Sequence, residues 1–115
     1  MADVDFSNAK IEPVNNLGGV LYNPTQTSYV SLESDIRLYD NALNTISTSS
    51  NPSQLVNEQK QLVVMYNGTF NASGTEFYIV GKSGTTRVAA WRIYNISFNS
   101  GDTYLFQINA TLTCN

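Results

Sequence analysis

The sequence predicts an all-β fold: an antiparallel β-sandwich or jelly-roll-like domain with an extended N-terminal arm and at most one short helix. Three observations predict it. In the closing segment GDTYLFQINATLT, Tyr104, Phe106, Ile108, Ala110 and Leu112 alternate with Thr103, Gln107, Asn109, Thr111 and Thr113. A period of two is that of a strand with one buried face. The runs at 61–66 (QLVVMY) and 75–80 (TEFYIV) are rich in β-branched and aromatic residues, which suit a pleated, half-buried surface. Turn-forming Asn, Ser and Gly residues punctuate these runs at 71–74, 82–84 and 99–102, where a chain of strands must reverse.

Along the chain, residues 1–30 read as an extended arm or a segment that wraps its own domain, and residues 31–115 as the β-sandwich. Within the arm, Val4 and Phe6 alternate with Asp3, Asp5 and Ser7, and Pro13, Gly18, Gly19 and Pro24 interrupt any regular element. Apolar side chains spaced along such a segment need a surface to cover, so Val4, Phe6 and Ile11 are the candidate arm contacts. Residues 30–47 carry two patterns. Leu32, Ile36, Tyr39, Leu43 and Ile46 recur at helical spacing, whereas Val30, Leu32, Ile36 and Leu38 share one face of a strand. The β surroundings favour a strand through Leu38 followed by a short helical turn.

The polar stretch 47–53 (STSSNPS) is a loop. Asn67-Gly68 and residues 71–74 compete for the next reversal; 71–74 is preferred, leaving Gly68 as a bulge. The segment 86–98 is a long strand with Val88, Ala90, Tyr94, Ile96 and Phe98 on one face and Trp91 and Ile93 on the other. Arg92 breaks the first face, which calls for a bulge or for cover on both sides near Trp91. Residues 99–102 then form a hairpin loop. Three hairpin-linked strands in succession make an antiparallel meander, one half of a sandwich.

Composition narrows the chemistry. Charged residues make up 13 % of the chain, about half the ~25 % of average domains. Solubility rests instead on amides and hydroxyls, which are easier to strip of water at a packed interface than ions are. The net charge is −3 and the six cations are scattered, so no basic stripe for nucleic acid is formed. No apolar stretch is long enough to insert into a membrane, and the start, MADVDF, has neither the cationic nor the apolar region of a signal peptide. Synthesis in the cytoplasm is the expectation. There is no histidine and one cysteine, Cys114, which removes the commonest general base, the thiolate metal sites and any internal disulfide. No cofactor and no enzymatic activity are expected. The four Asn-X-Ser/Thr triplets at Asn67, Asn71, Asn95 and Asn109 are about what so Asn-, Ser- and Thr-rich a composition produces by chance. Gly81-Lys82-Ser83 imitates the end of a phosphate loop, but Glu76 stands where the first glycine is required.

The breaker-rich arm, the low charge, the short start and the GDTYLFQINATLT strand resemble small bacteriophage virion proteins of the capsid-decoration or head-fibre kind. The resemblance is one of composition and layout over the whole chain, without a diagnostic motif, and no functional residue is carried over. It implies a sandwich or jelly-roll domain located in the virion, a homo-oligomer such as a trimer, and contacts to the subunits of a protein shell or fibre. The second reading is a carbohydrate- or receptor-binding module, a glycan being bound by an exposed aromatic platform. Trp91 and Arg92 are the candidate binding surface for either partner.

Overall fold

A computed structural model describes residues 3–22, 31–32, 38–49, 53–58, 61–83 and 86–111. Among these described residues there are strands and turns but no helix. One sheet contains β1 (Lys10–Val14), β9 (Thr86–Phe98), β8 (Gly74–Ser83) and β4 (Ser31–Leu32), in that spatial order. The other contains β10 (Thr103–Thr111) and β7 (Gln61–Phe70), with β5 (Ser47–Ser49) and β6 (Ser53–Glu58) both paired to β7. A small hairpin, β2 (Asn16–Leu17) and β3 (Val20–Leu21), stands apart. Every ladder is antiparallel.

The last four strands correct the meander expected from the sequence. β8 and β9 form a hairpin, but β7 pairs with β10 rather than with β8. The pairs are nested, and the inner hairpin lies on the opposite sheet. Both strand changes therefore cross between sheets at one end of the molecule, and the two corners are tied together. The Phe70 N–H donates to the Asp102 carbonyl at 2.8 Å, and the Gly101 N–H donates to the Phe70 carbonyl at 2.8 Å. Turn residues announce a reversal of direction but say nothing of which sheet receives the next strand. Gly68 forms no bulge; it sits in regular register opposite Tyr104.

The sheets meet through aromatic rings. Phe77, Ile79, Ala89 and Ile93 from one sheet bury against Phe70 and Tyr104 from the other, with Leu38, Ile46, Ile96 and Phe98 completing the core. Phe70 stacks on Phe98 with centroids 3.8 Å apart and planes 11° from parallel. Gly74 makes room for this ring, since a Cβ there would lie 3.0 Å from Phe98 Cζ.

β9 resolves its own mixed pattern with two irregularities. The ladder to β8 shifts between Gly81 and Lys82, opposite Val88, and again between Gly74 and Glu76, where Asn95 takes a left-handed φ of 65°. Ala89 and Ile93 therefore face the inter-sheet core before the second shift, and Ile96 and Phe98 face it afterwards. Ala90 faces the other way, into a second cluster of Leu17, Tyr22, Tyr39, Tyr78 and Val80. The strand is covered on both sides around residues 89–90, as parity alone would require of its sequence.

Residues 3–22 lie along the domain. The Val4 N–H donates to the Thr103 carbonyl at 2.9 Å, a turn at Ser7-Asn8 follows, and β1 then pairs with β9. This strap bridges the edge of one sheet to the edge of the other. Phe6 fills the gap between them, its ring 5.0 Å from Phe106 and 6.3 Å from Phe77. Pro13 in β1, which is an edge strand, costs the ladder no donor it could have used outward.

The helical turn expected after Leu38 is replaced by a tight loop. Tyr39 bridges both Tyr78 and Thr45, and the Asp40 carboxylate holds the residues between. Its Oδ1 accepts from the N–H groups of Ala42 at 2.9 Å and Asn44 at 2.8 Å. A side chain that binds backbone two and four residues on stabilises a turn in competition with a helix. Residues 33–37, the rest of the ambiguous segment, lie outside the described residues.

Candidate functional site

The outer face of the β1–β9–β8 sheet carries the most organised polar chemistry among the described residues. Register sets Glu12 beside Arg92 and Arg92 beside Tyr78 on one rung, and Lys10, Tyr94 and Glu76 on the next. Side chains of alternate residues share a face, so the other five gather around Arg92. The guanidinium donates from Nε to Glu76 Oε2 at 2.9 Å, from Nη2 to Glu76 Oε1 at 3.2 Å and from Nη1 to Glu12 Oε1 at 3.0 Å. It also stacks on the Tyr94 ring, 4.3 Å from its centroid. The fork grip on Glu76 and the bond to Glu12 fasten three strands with one side chain.

Hydrogen bonds from Arg92 and then from the Tyr78 hydroxyl hold the Glu76 carboxyl below its ordinary value. Burial, with Glu76 next, pushes the Tyr78 phenol up to about 12. A lowered carboxylate pKa contributes stability that is complete above the unfolded value and disappears as pH falls through the folded one. Stability is therefore expected to decline below pH 4.5, the ordinary Glu value. In urea melts at stepped pH, Glu76→Gln should flatten that decline; an unchanged slope would show that the clasp stores no pH-dependent stability.

Beside the clasp, an open groove of about 570 Å³ runs between the strap and the second irregularity of β9. Asp5 and Asn8 line it from the strap, Thr75 from β8, and Arg92, Tyr94 and Asn95 from β9. Asn95 Nδ2 donates to the Asn8 carbonyl at 2.9 Å, joining the two walls.

At the other end of this face the β2–β3 hairpin projects. Gly18 and Gly19 have φ of 60° and 80°, the paired left-handed residues of a two-residue hairpin turn. The hairpin is seated by buried Leu17 and Tyr22, and by the Gly18 N–H, which donates to the Asn41 carbonyl at 2.9 Å. Above this anchor Leu21 is 78 % exposed and Val20 45 %. The described stretches 15–22 and 41–44, which meet here, contain no charged residue.

Trp91 and Arg92 do not form one surface. Neighbouring strand residues point to opposite faces: Trp91 is half-buried against the inter-sheet core, while Arg92 points outward into its clasp. Trp91 is thus not an exposed aromatic platform. Val4 and Phe6 pack on the same core, and Ile11 is 53 % exposed. Glu12 and Glu76 escaped sequence reasoning because their roles depend on cross-strand register. The hairpin tip left a signal, two glycines between Leu17 and Val20, that marks a tight reversal as well as a break.

Comparison of the chain with protein-family models, with curated proteins and with solved structures gives no match.

Proposed function

We propose that this protein is a non-catalytic structural module that works through a protein–protein surface, as a decoration or fibre component of a bacteriophage virion. The observation that carries the reading is the β2–β3 hairpin: Leu21, 78 % exposed on an anchored turn, stands beside its cross-strand partner Asn16, and the turn itself rests on the Asn41 carbonyl. An apolar centre with a polar, uncharged rim is the anatomy of an interface core. Its rigidity lowers the ordering cost of docking. One hairpin is small against the ~800 Å² per partner of a stable complex, so a single contact of this kind is weak. Repetition over a symmetric shell or fibre multiplies weak contacts into firm attachment, and a homo-oligomer, such as a trimer, supplies the repetition.

The acids support the non-catalytic part of the reading. Glu12 and Glu76 both bind Arg92, and Glu76 is held ionised, the opposite of the raised pKa that a proton-donating carboxyl needs near neutral pH.

Light scattering of the purified protein tests the proposal. The expected result is a defined oligomer whose mass falls toward that of a single chain in Leu21→Asp, with the circular dichroism spectrum unchanged. A strict monomer at about 100 μM, well above a micromolar Kd, would overturn the assembly, and an oligomer indifferent to Leu21→Asp would remove the hairpin from it.

A further inference from the structure

We infer that the groove between the strap and β9 is a binding site for a neutral, polyhydroxylated ligand of the sugar class. The site is separate from the hairpin and does not depend on how copies associate. Its volume, about 570 Å³, falls within the ~300–1,000 Å³ of small-ligand sites.

The lining matches hydroxyl groups that both donate and accept. Arg92 has five N–H donors and spends three on Glu76 and Glu12, with the Tyr78 hydroxyl also in its reach; the guanidinium borders the groove. Its donors are already oriented, because two carboxylates and the Tyr94 ring fix the guanidinium plane. Asp5 is an exposed carboxylate that uses Oδ1 to accept from the Ser7 N–H at 2.9 Å. Thr75 contributes a hydroxyl, and Asn8 and Asn95 contribute amides. Planar amide, carboxylate and guanidinium groups suit the paired hydroxyls of a sugar ring, and Tyr94 supplies an aromatic ring beside them.

Backbone geometry at the site supports the assignment. Asn95 stands in a left-handed conformation at the point where β9 departs from register with β8. Bulges of this sort re-aim side chains and recur beside binding sites. Here the bulge brings Asn95 to the groove, and its bond to the Asn8 carbonyl fixes the amide.

Charge selects a neutral ligand. The charged lining is one carboxylate, Asp5, and one cation, Arg92, and Arg92 is already neutralised by Glu76 and Glu12, so an anionic sugar finds no uncompensated positive charge to hold it. Tyr94 is the apolar side chain of the lining, since Ile96 buries its own in the inter-sheet core, and one ring is too little for a hydrophobic peptide side chain to anchor.

Titration of the ¹⁵N-labelled full chain with glucose, galactose, mannose, N-acetylglucosamine and lactose, and with sialic acid as the anionic comparison, followed by amide shifts, tests the site. At least one sugar is expected to bind with a Kd on the order of 1 mM, moving the amides of Asn8, Thr75, Tyr94 and Asn95. Two variants leave the backbone intact: Asp5→Ala, on the exposed strap, and Asn95→Gly, which keeps the left-handed conformation without strain. Each should weaken binding by about tenfold or more. The inference is overturned by silence to every neutral sugar at tens of millimolar (about ten times the expected Kd or more), by shifts that map elsewhere, by variants that bind as wild type does, or by tighter binding of sialic acid.

Discussion

Phe77→Ala is expected to lower the free energy of unfolding by about 3–5 kcal/mol, the range for emptying a buried aromatic site. Phe77 is fully buried, and the rings of Phe6, Phe70, Phe98 and Phe106 surround it at centroid distances of 5.4–6.4 Å. Those rings come from the strap, from both sheets and from both crossing strands. Removing the central one leaves a cavity that four stiff neighbours cannot collapse into, so the cost includes lost contacts as well as lost burial. Against a total stability of about 5–15 kcal/mol, the variant should be marginal at 37 °C. Urea unfolding followed by fluorescence of Trp91, the single tryptophan, measures it. Phe6→Ala, at the half-buried rim, should cost less. Equal costs would mean that the strap is as central as the sheets.

The second large effect is at the hairpin turn. Gly18→Ala is expected to cost about 2–4 kcal/mol, from a left-handed alanine and from crowding. The new Cβ would lie 2.8 Å from Leu43 Cγ and 2.9 Å from Cδ1. Leu43 cannot easily yield: it has a left-handed φ of 65° itself, and its N–H donates to the Asp40 carbonyl at 3.1 Å. Gly19→Ala is the internal control. Its φ is 80°, but a Cβ there meets nothing within 4 Å, so only the backbone cost of about 1–2 kcal/mol remains. Thermal melts of the pair should separate by several degrees; coincident melts would show that the hairpin does not rest on Leu43.

How far the sequence carries depends on whether a signal is local. The alternation that begins at residue 103 and the runs at 61–66 and 75–80 are one-strand properties, and among the described residues strands stand there: β10 as far as Thr111, β7 and β8. The same is true of the 86–98 strand, but the bulge considered near Trp91 is not there: Trp91 and Arg92 are in regular register with β8, and the irregularities stand at Val88 and Asn95, where no single residue announces them. Residues 38–46 misled because Leu38, Tyr39 and Ile46 are all buried, which mimics a helical stripe, while the deciding contact is the Asp40 carboxylate on its own backbone. Sheet assignment was not legible at all. The corners at 71–73 and 99–102 look like hairpin turns, and only their bonds to each other show that they cross between layers. The clasp was equally hidden: Glu12 and Arg92 are 80 positions apart, and nothing in either neighbourhood names the other.

The strap also sets the order in which a newborn chain can fold. Its bonds join Glu12 to Arg92 and Asp3 to Thr103, 80 and 100 positions downstream, so the strap must wait, solvated, for partners synthesised long after it. The β6–β7 and β8–β9 ladders can zip early because their partners are close in sequence, but the outer β7–β10 ladder and the strap's contacts require long loops to be closed first. Folding of this domain is thus a late, concerted event on the slow, millisecond-to-second side of small-protein kinetics, and until then its aromatic residues remain in contact with water.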